Sequence, residues 1–167
     1  MWKTRNPLPQ ASEKKEKEVS TTEQNKARFR RTYEEVLNRG HVSGVDEPIA
    51  PEFLNREAPP GRDRGPESMR GLANMLRTAF PDLHLEIHES VAEGDVVAGR
   101  STMSGTHEGP PMGTPPTGRR MRQADMHFVR FRDGLAVEQW GVRDELGMMQ
   151  QLGILPGPGQ AEEAGPT

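Results

Sequence analysis

Between Gly105 and Trp140 the chain reads GTHEGPPMGTPPTGRRMRQADMHFVRFRDGLAVEQW, a run that carries His107, Asp125 and His127. An imidazole titrates near neutral pH, and a nearby carboxylate can hold its tautomer or raise its basicity. These residue types together therefore suit general acid/base catalysis. Asp125 and His127 are two positions apart. On a strand, where side chains alternate between faces, they project the same way with Cα atoms roughly 6.5 to 7 Å apart. A one-residue bulge would put them on opposite faces. His107 stands at the edge of a Pro/Gly loop, where a histidine either serves a site or caps backbone groups. The aliphatic and aromatic residues around the three describe a greasy pocket with a few polar groups. His84 and His88 have the spacing of metal ligands on a helix, but they alternate with Leu85 and Ile87 as the polar side of a strand, so a solvated face is expected and no metal.

The elements that must position these groups can be read from periodicity. Ser20 with Glu23, or Thr21 with Gln24, offers a capping box. Phe29, Tyr33, Val36 and Leu37 then recur at helical spacing until Gly40. Val42 to Ala50 reads as a short second helix before Pro51, and Glu52 to Arg56 as a brief extended piece. Pro66 suits a first helical position, and Met69, Leu72, Met75, Leu76 and Phe80 follow on one face, so residues 66 to 80 are expected as a helix ended by Pro81. Period two then takes over. Leu83, Leu85 and Ile87 form a half-buried strand, Val96 to His107 a second, and residues 119 to 132 and 135 to 142 two more that meet at Asp133-Gly134, the strongest hairpin signal in the chain. Asp144 is expected to cap a last short helix through Gln151. Arg143 is either a surface charge or the partner of Glu145 or its neighbours. Met69, Met75, Met148 and Met149 suit packing in the core or between two copies.

A length of 167 residues fits one domain. Residues 1–19 are too polar to anchor and are expected as a disordered arm, residues 20–153 as the domain, and residues 154–167 as a disordered tail. Only 32% of the residues are hydrophobic, but the polarity concentrates in the two ends and the loop 57–68, which leaves the centre able to bury a core. The absence of cysteine excludes disulfides, thiolate metal sites and cysteine nucleophiles. A net charge of -3 gives no electrostatic reason for nucleic acid as a partner. With no apolar run near the roughly 20 residues of a membrane span and no signal-peptide pattern, a cytoplasmic protein without a membrane partner is expected.

Helices that precede a long antiparallel meander are best accommodated when the curved sheet wraps around and the helices close its open side. The expected class is α+β, a cone-shaped half-barrel with an internal cavity. FRRTYEEVLNRG at 29–40, IAPEF at 49–53, AFPDLHLEI at 79–87, EGDVVAGRSTMSGTHEG at 93–109, PPTGRR at 115–120 and FRDGLAVEQWGVRDELGMMQQLG at 131–153 resemble, in order, the SnoaL-like polyketide cyclases of the nuclear-transport-factor-two-like superfamily.

The resemblance implies closure of a ring in a polyketide-like carbonyl compound by an intramolecular aldol reaction, or a related isomerisation, with neither metal nor organic cofactor. It equally covers relatives that bind a hydrophobic small molecule without turnover, or that act as hydrolases or hydroxylases. In the family an aspartate of the penultimate strand is the acid/base. Counting back from Asp133-Gly134, that position is His127, with Asp125 as its support, and His107 matches a histidine that family members keep near the substrate. Where relatives often carry histidine, this chain has Arg56 and Gln139. An inward Arg56 would favour an anionic ligand. Tyr33, Phe53 and Trp140 fit the substrate-binding aromatics, and a homodimer through the outer sheet face is the implied assembly. A third reading, an interaction module that dimerises through its open sheet face, would have no enclosed cavity.

Overall fold

Phe29, Tyr33 and Val36 fall on one stripe of a helix, and in the computed structural model, which describes residues 11–41, 43, 47–110 and 114–157, all three are buried. They belong to helix α1 (Ala11–Tyr33) and the π-helical turn Glu34–Asn38 that continues it. The helix runs through Ser20 rather than starting there. Residues 11–18 are mostly Ala, Glu and Lys, strong helix formers, so intrinsic propensity extends the backbone helix into the stretch expected as an arm. The remaining ten residues of that arm, and residues 158–167 of the expected tail, lie outside the described residues. Gly40 stops the helix at φ +70°, and Arg77 donates to the terminal carbonyls of Leu37 at 2.7 Å and Asn38 at 3.2 Å.

The second helix expected over Val42 to Ala50 is replaced at its end by a strand. Ile49 and Ala50 open β1 (Ile49–Asn55), while Val42 and residues 44–46 lie outside the described residues. Buried Ile49, Ala50, Phe53 and Asn55 hold this strand on the core, and Pro51 is tolerated because β1 is an edge. After it come α2 (Pro66–Ala79), β2 (His84–Glu93), β3 (Val96–Thr106), β4 (Arg120–Arg132), β5 (Leu135–Arg143) and α3 (Glu145–Gln151). Met75 does not join the apolar stripe of α2 and is exposed.

The five strands are ordered β1-β5-β4-β3-β2. Four form the expected antiparallel meander, but β1 runs parallel to β5, with Leu54 opposite Glu138 and Asn55 opposite Gln139. The sheet is therefore mixed rather than antiparallel, and it is not closed into a barrel. Pairing of β1 with β5 is what brings the turn after Asn55 to the interior of the sheet. The β4/β5 turn has Asp133 at φ 50° and Gly134 at φ 80°, the left-handed pair that a two-residue hairpin requires. Asp144 caps α3 by accepting from the Gly147 amide at 2.9 Å. Helices α1 and α2 lie over one face of the sheet, and Val97, Met103, Met121, Val129 and Phe131 project into the core from β3 and β4. Ile154, assigned by sequence to the tail, packs against this core.

Candidate active site

The inward row of β4 is Met121, Gln123, Asp125, His127, Val129 and Phe131, every one of them buried. No bulge separates Asp125 from His127: they pair with Ser101 and Gly99 of β3 in unbroken register and share a face. Both are 3% exposed. With Gln139 and Arg143 of β5 they form the polar end of a pocket whose other walls include Phe29, Tyr33, Val36, Phe53, Leu76 and Met103, supplied by α1 and its π-helical turn, β1, α2 and β3. Phe29, Tyr33 and His127 are packed in series, with ring centroids 4.7 and 5.6 Å apart.

His127 is flanked by glycine on both neighbouring strands, Gly99 of β3 and Gly141 of β5. A Cβ at Gly99 would lie 2.5 Å from the Phe29 ring; one at Gly141 would lie 2.5 Å from both His127 Cδ2 and Glu57 Oε1. The two missing side chains are thus the space into which Phe29 and Glu57 fit.

Glu57 follows β1 in a turn pinned by the Arg56 amide donating to Gln139 O at 2.9 Å and the Glu57 amide donating to Asn55 Oδ1 at 3.0 Å. Arg56 points outward and Glu57 inward. The Arg56 guanidinium is committed to exposed-side Glu138 at 2.7 Å, so it supplies no charge to the pocket. The Glu57 carboxylate accepts from Gln139 Nε2 at 2.8 Å, meets Arg143 Nη2 at 2.5 Å, and lies 3.7 Å from His127 Nε2. Arg143, open between two readings in the sequence, pairs with Glu57 rather than with Glu145. Glu57 itself went unnoticed in the sequence. The available signal was Gly141, since a glycine inside a strand marks close approach by another group.

Burial dominates the titration of this cluster. It pushes Asp125 up to about 7, against the opposing pull of Arg143, with Glu57 adding to the rise. It pushes His127 down to about 4, opposed by Glu57 and assisted by Arg143. Burial, then the charge on Glu57, raises Tyr33 well above the usual phenol range. At neutral pH His127 is a neutral imidazole and Tyr33 a neutral phenol, while Asp125 is divided between its two forms. Tyr33 OH, Asp125 Oδ1 and His127 Nδ1 are buried without a hydrogen-bond partner. Three orphaned polar atoms on pocket-lining residues are what a polar ligand group would satisfy.

Besides Arg56, two more expected site residues stand elsewhere. His107 is fully buried but lines a different region, 5.7 Å from the Phe80 ring. Its Nδ1 accepts from the Thr117 amide at 3.2 Å and faces the Thr117 hydroxyl at 3.0 Å, which fastens one end of the Pro/Gly loop to the other. Trp140 lies on the outer face of the sheet beneath Arg130, whose guanidinium is 5.4 Å from the ring centroid. Its neighbour Gln139 takes the inward place, because adjacent strand residues cannot face the same side. His88 meets Thr102 Oγ1 at 2.7 Å, and no group of three or more metal-ligating side chains occurs among the described residues. Nor is any described helix long and apolar enough to cross a membrane.

Comparison with known proteins agrees with this architecture. Residues 27–152 match the family model described as SnoaL-like polyketide cyclase. Aklanonic acid methyl ester cyclase DnrD of Streptomyces peucetius is 34% identical over 122 residues, 71% of this chain and 84% of that protein. Nogalonic acid methyl ester cyclase of Streptomyces nogalater is 31% identical over 119 residues, 70% of this chain and 89% of its own. Among solved structures, TsrD from Streptomyces laurentii superimposes with a TM-score of 0.72 at 30% identity, covering 78% of this chain and 96% of that one.

Proposed function

The chain belongs to the SnoaL-like polyketide cyclase family, and on that premise we propose that it catalyses an intramolecular aldol cyclisation of a polyketide-like carbonyl compound with His127 as the base. The observation that carries this reading is the neutral, unpaired His127 Nδ1 at the polar end of an apolar pocket, and the sequence resemblance puts the family's acid/base aspartate at the same place.

In the proposed reaction His127 takes a proton from the carbon between two carbonyl groups, and the C–H electron pair becomes an enolate. The enolate carbon forms the new C–C bond to a second carbonyl of the same molecule, whose π electrons move onto oxygen. That oxygen then recovers the proton, so the product is an isomer of the substrate. Tyr33, held protonated by burial, and the carboxyl form of Asp125 are donors for the developing oxyanion. Apolar walls exclude water and leave these donors without competition. The chemistry asks nothing of a metal or an organic cofactor. His107 is assigned the holding of the loop at the end of β3, and Phe53 and Gln139 contact with the substrate.

The protein is proposed to act as a homodimer. Val91, Ala98, Phe128 and Trp140 are in register across β2, β3, β4 and β5 on the outer face, with Met126 and Val142 beside them. Val91, Met126, Phe128 and Val142 are all more than half exposed, and a contiguous apolar row of this kind marks a contact surface.

Incubation with aklanonic acid methyl ester, the compound named for one relative, tests the reaction. An isomeric product of unchanged mass and altered retention is expected from the native chain, and its loss in His127→Ala with ligand binding retained. Undiminished product from His127→Ala would sink the assignment of the base, and binding without any product from the native chain would favour a carrier.

A further inference from the structure

Glu57 does not line the pocket, yet it is 8% exposed at its side chain and stands directly behind the proposed base. Charges of both signs are rarely buried unless paired, and a buried pair costs desolvation that a pair of apolar residues would avoid. The sequence keeps the pair and also keeps a glycine at 141, where any side chain would meet Glu57 and His127. Room has therefore been left for one carboxylate to approach one imidazole from the side opposite its unpaired nitrogen.

We propose that Glu57, seated in the space left by Gly141 and oriented by Gln139 and Arg143, is the positioning residue that fixes the tautomer of His127 and stabilises the imidazolium it becomes. This rests on the reading of His127 as the base.

The geometry gives the direction of the effect. Glu57 Oε1 lies 3.7 Å from His127 Nε2, beyond an ordinary hydrogen bond but close enough for a carboxylate to favour a proton on that nitrogen. Nδ1, which has no partner, is then the atom with the free lone pair. When Nδ1 accepts a proton, the ring becomes a cation facing a carboxylate already held in place, with no reorganisation needed. The ring also packs against Tyr33 from α1, neutral, and feels Arg143 from β5, whose charge opposes protonation, while Asp125, two residues along β4 on the same face, is largely neutral below pH 7. Glu57 is thus the group whose charge favours the imidazolium, and Arg143 is its ion-pair partner on the side away from the ring. Gln139 fixes its direction by donating to the same oxygen that faces the ring.

The test is the tautomer of His127 in the full chain labelled with 15N-histidine, read by long-range 1H–15N correlation and assigned with His127→Gln. In the native chain the proton is expected on Nε2. In Glu57→Gln, which keeps the shape and removes the charge, the imidazole should become at least about tenfold harder to protonate, one pKa unit lower. Glu57→Leu combined with Arg143→Met removes the ion pair as a unit and leaves no lone buried charge, so it remains informative if Glu57→Gln does not fold. There the two ring nitrogens should approach equal shifts as the tautomers mix. A native chain with its proton on Nδ1, or a double variant with the native tautomer, would overturn the proposal. Should His127→Ala keep full turnover while the tautomer responds to Glu57, the assignment of the base would fall and the positioning effect would stand.

Discussion

Asp125 and His127 stand side by side on the inner face of β4, and burial drives each to its uncharged form: the carboxyl rises to about 7 while the imidazole falls to about 4. In the unfolded chain between pH 4.5 and 6 the same two groups are carboxylate and imidazolium. Folding therefore moves a proton's worth of charge from the histidine to the aspartate without net uptake. An ion pair in this place would have to be desolvated twice over, and the neutral pair avoids that.

The consequence is a cancellation in stability against pH. The raised aspartate alone makes the folded state lose stability as pH rises from about 4 to 7, because the native chain holds a proton that the unfolded one has released. The depressed histidine alone makes it gain stability from about 4 to 6.5, for the opposite reason. Together they leave little slope. Asp125→Asn should unmask the gain, about 1.4 kcal/mol per pH unit relative to the native chain, and His127→Gln the loss, of similar size. Urea denaturation at half-unit intervals from pH 4.5 to 6.5 measures both. Parallel profiles for the three chains would show that the groups do not titrate as a buried neutral pair.

Tyr33→Phe separates function from stability. The hydroxyl is buried with no partner, so its removal should leave the free protein as stable as before or more stable by about 1 kcal/mol. If the hydroxyl serves the oxyanion, turnover should fall by about 10- to 100-fold, with KM changed far less. A stabilised variant of undiminished rate would remove Tyr33 from the reaction.

Two arginines predicted or left open by sequence should behave in opposite ways. Arg56 is nearly half exposed and bound to Glu138, so Arg56→Ala should cost less than about 1 kcal/mol and leave ligand affinity unchanged. Arg143→Ala strands the Glu57 carboxylate in the interior and should cost about 3 kcal/mol or more. Thermal unfolding and a binding isotherm for each variant decide the matter, and equal losses would contradict the assignment of Glu57 as a buried charge.

The difference between these arginines also shows where sequence reading stops. The hairpin at Asp133-Gly134 and the cap at Asp144 were legible because backbone conformation there is set by residues adjacent in the chain. The shared face of Asp125 and His127 was legible because period two holds along an unbroken strand. Arg56 and Glu57 lie in a turn, where no period applies. Which of the two enters the core depends on the parallel pairing of β1 with a strand more than eighty residues later, fixed only when Asn55 meets Gln139. Trp140 was misplaced for a different reason: with Gln139 inward, strand alternation sends the next residue out, and a likeness to pocket aromatics carries no such geometry.

That outward turn of Trp140 supports the last expectation. Phe128, 51% exposed, lies between Ala98 and Trp140, and Val142, 76% exposed, faces Met126 on the adjacent row. Solvating this much contiguous apolar surface is unfavourable, at roughly 25 cal/mol per Å², and pairing two such faces about a two-fold axis would remove it from water on both copies at once. Light scattering should give twice the chain mass at micromolar concentration. Phe128→Arg with Val142→Arg places like charges in each face and should yield monomers. Because β4 and β5 alternate, both substitutions point away from His127 and the pocket, so the Nε2–H tautomer of His127 should persist in the monomer. A native chain that remains monomeric at high concentration, or a double variant that still pairs, would mean that the apolar row is not the surface on which two copies meet.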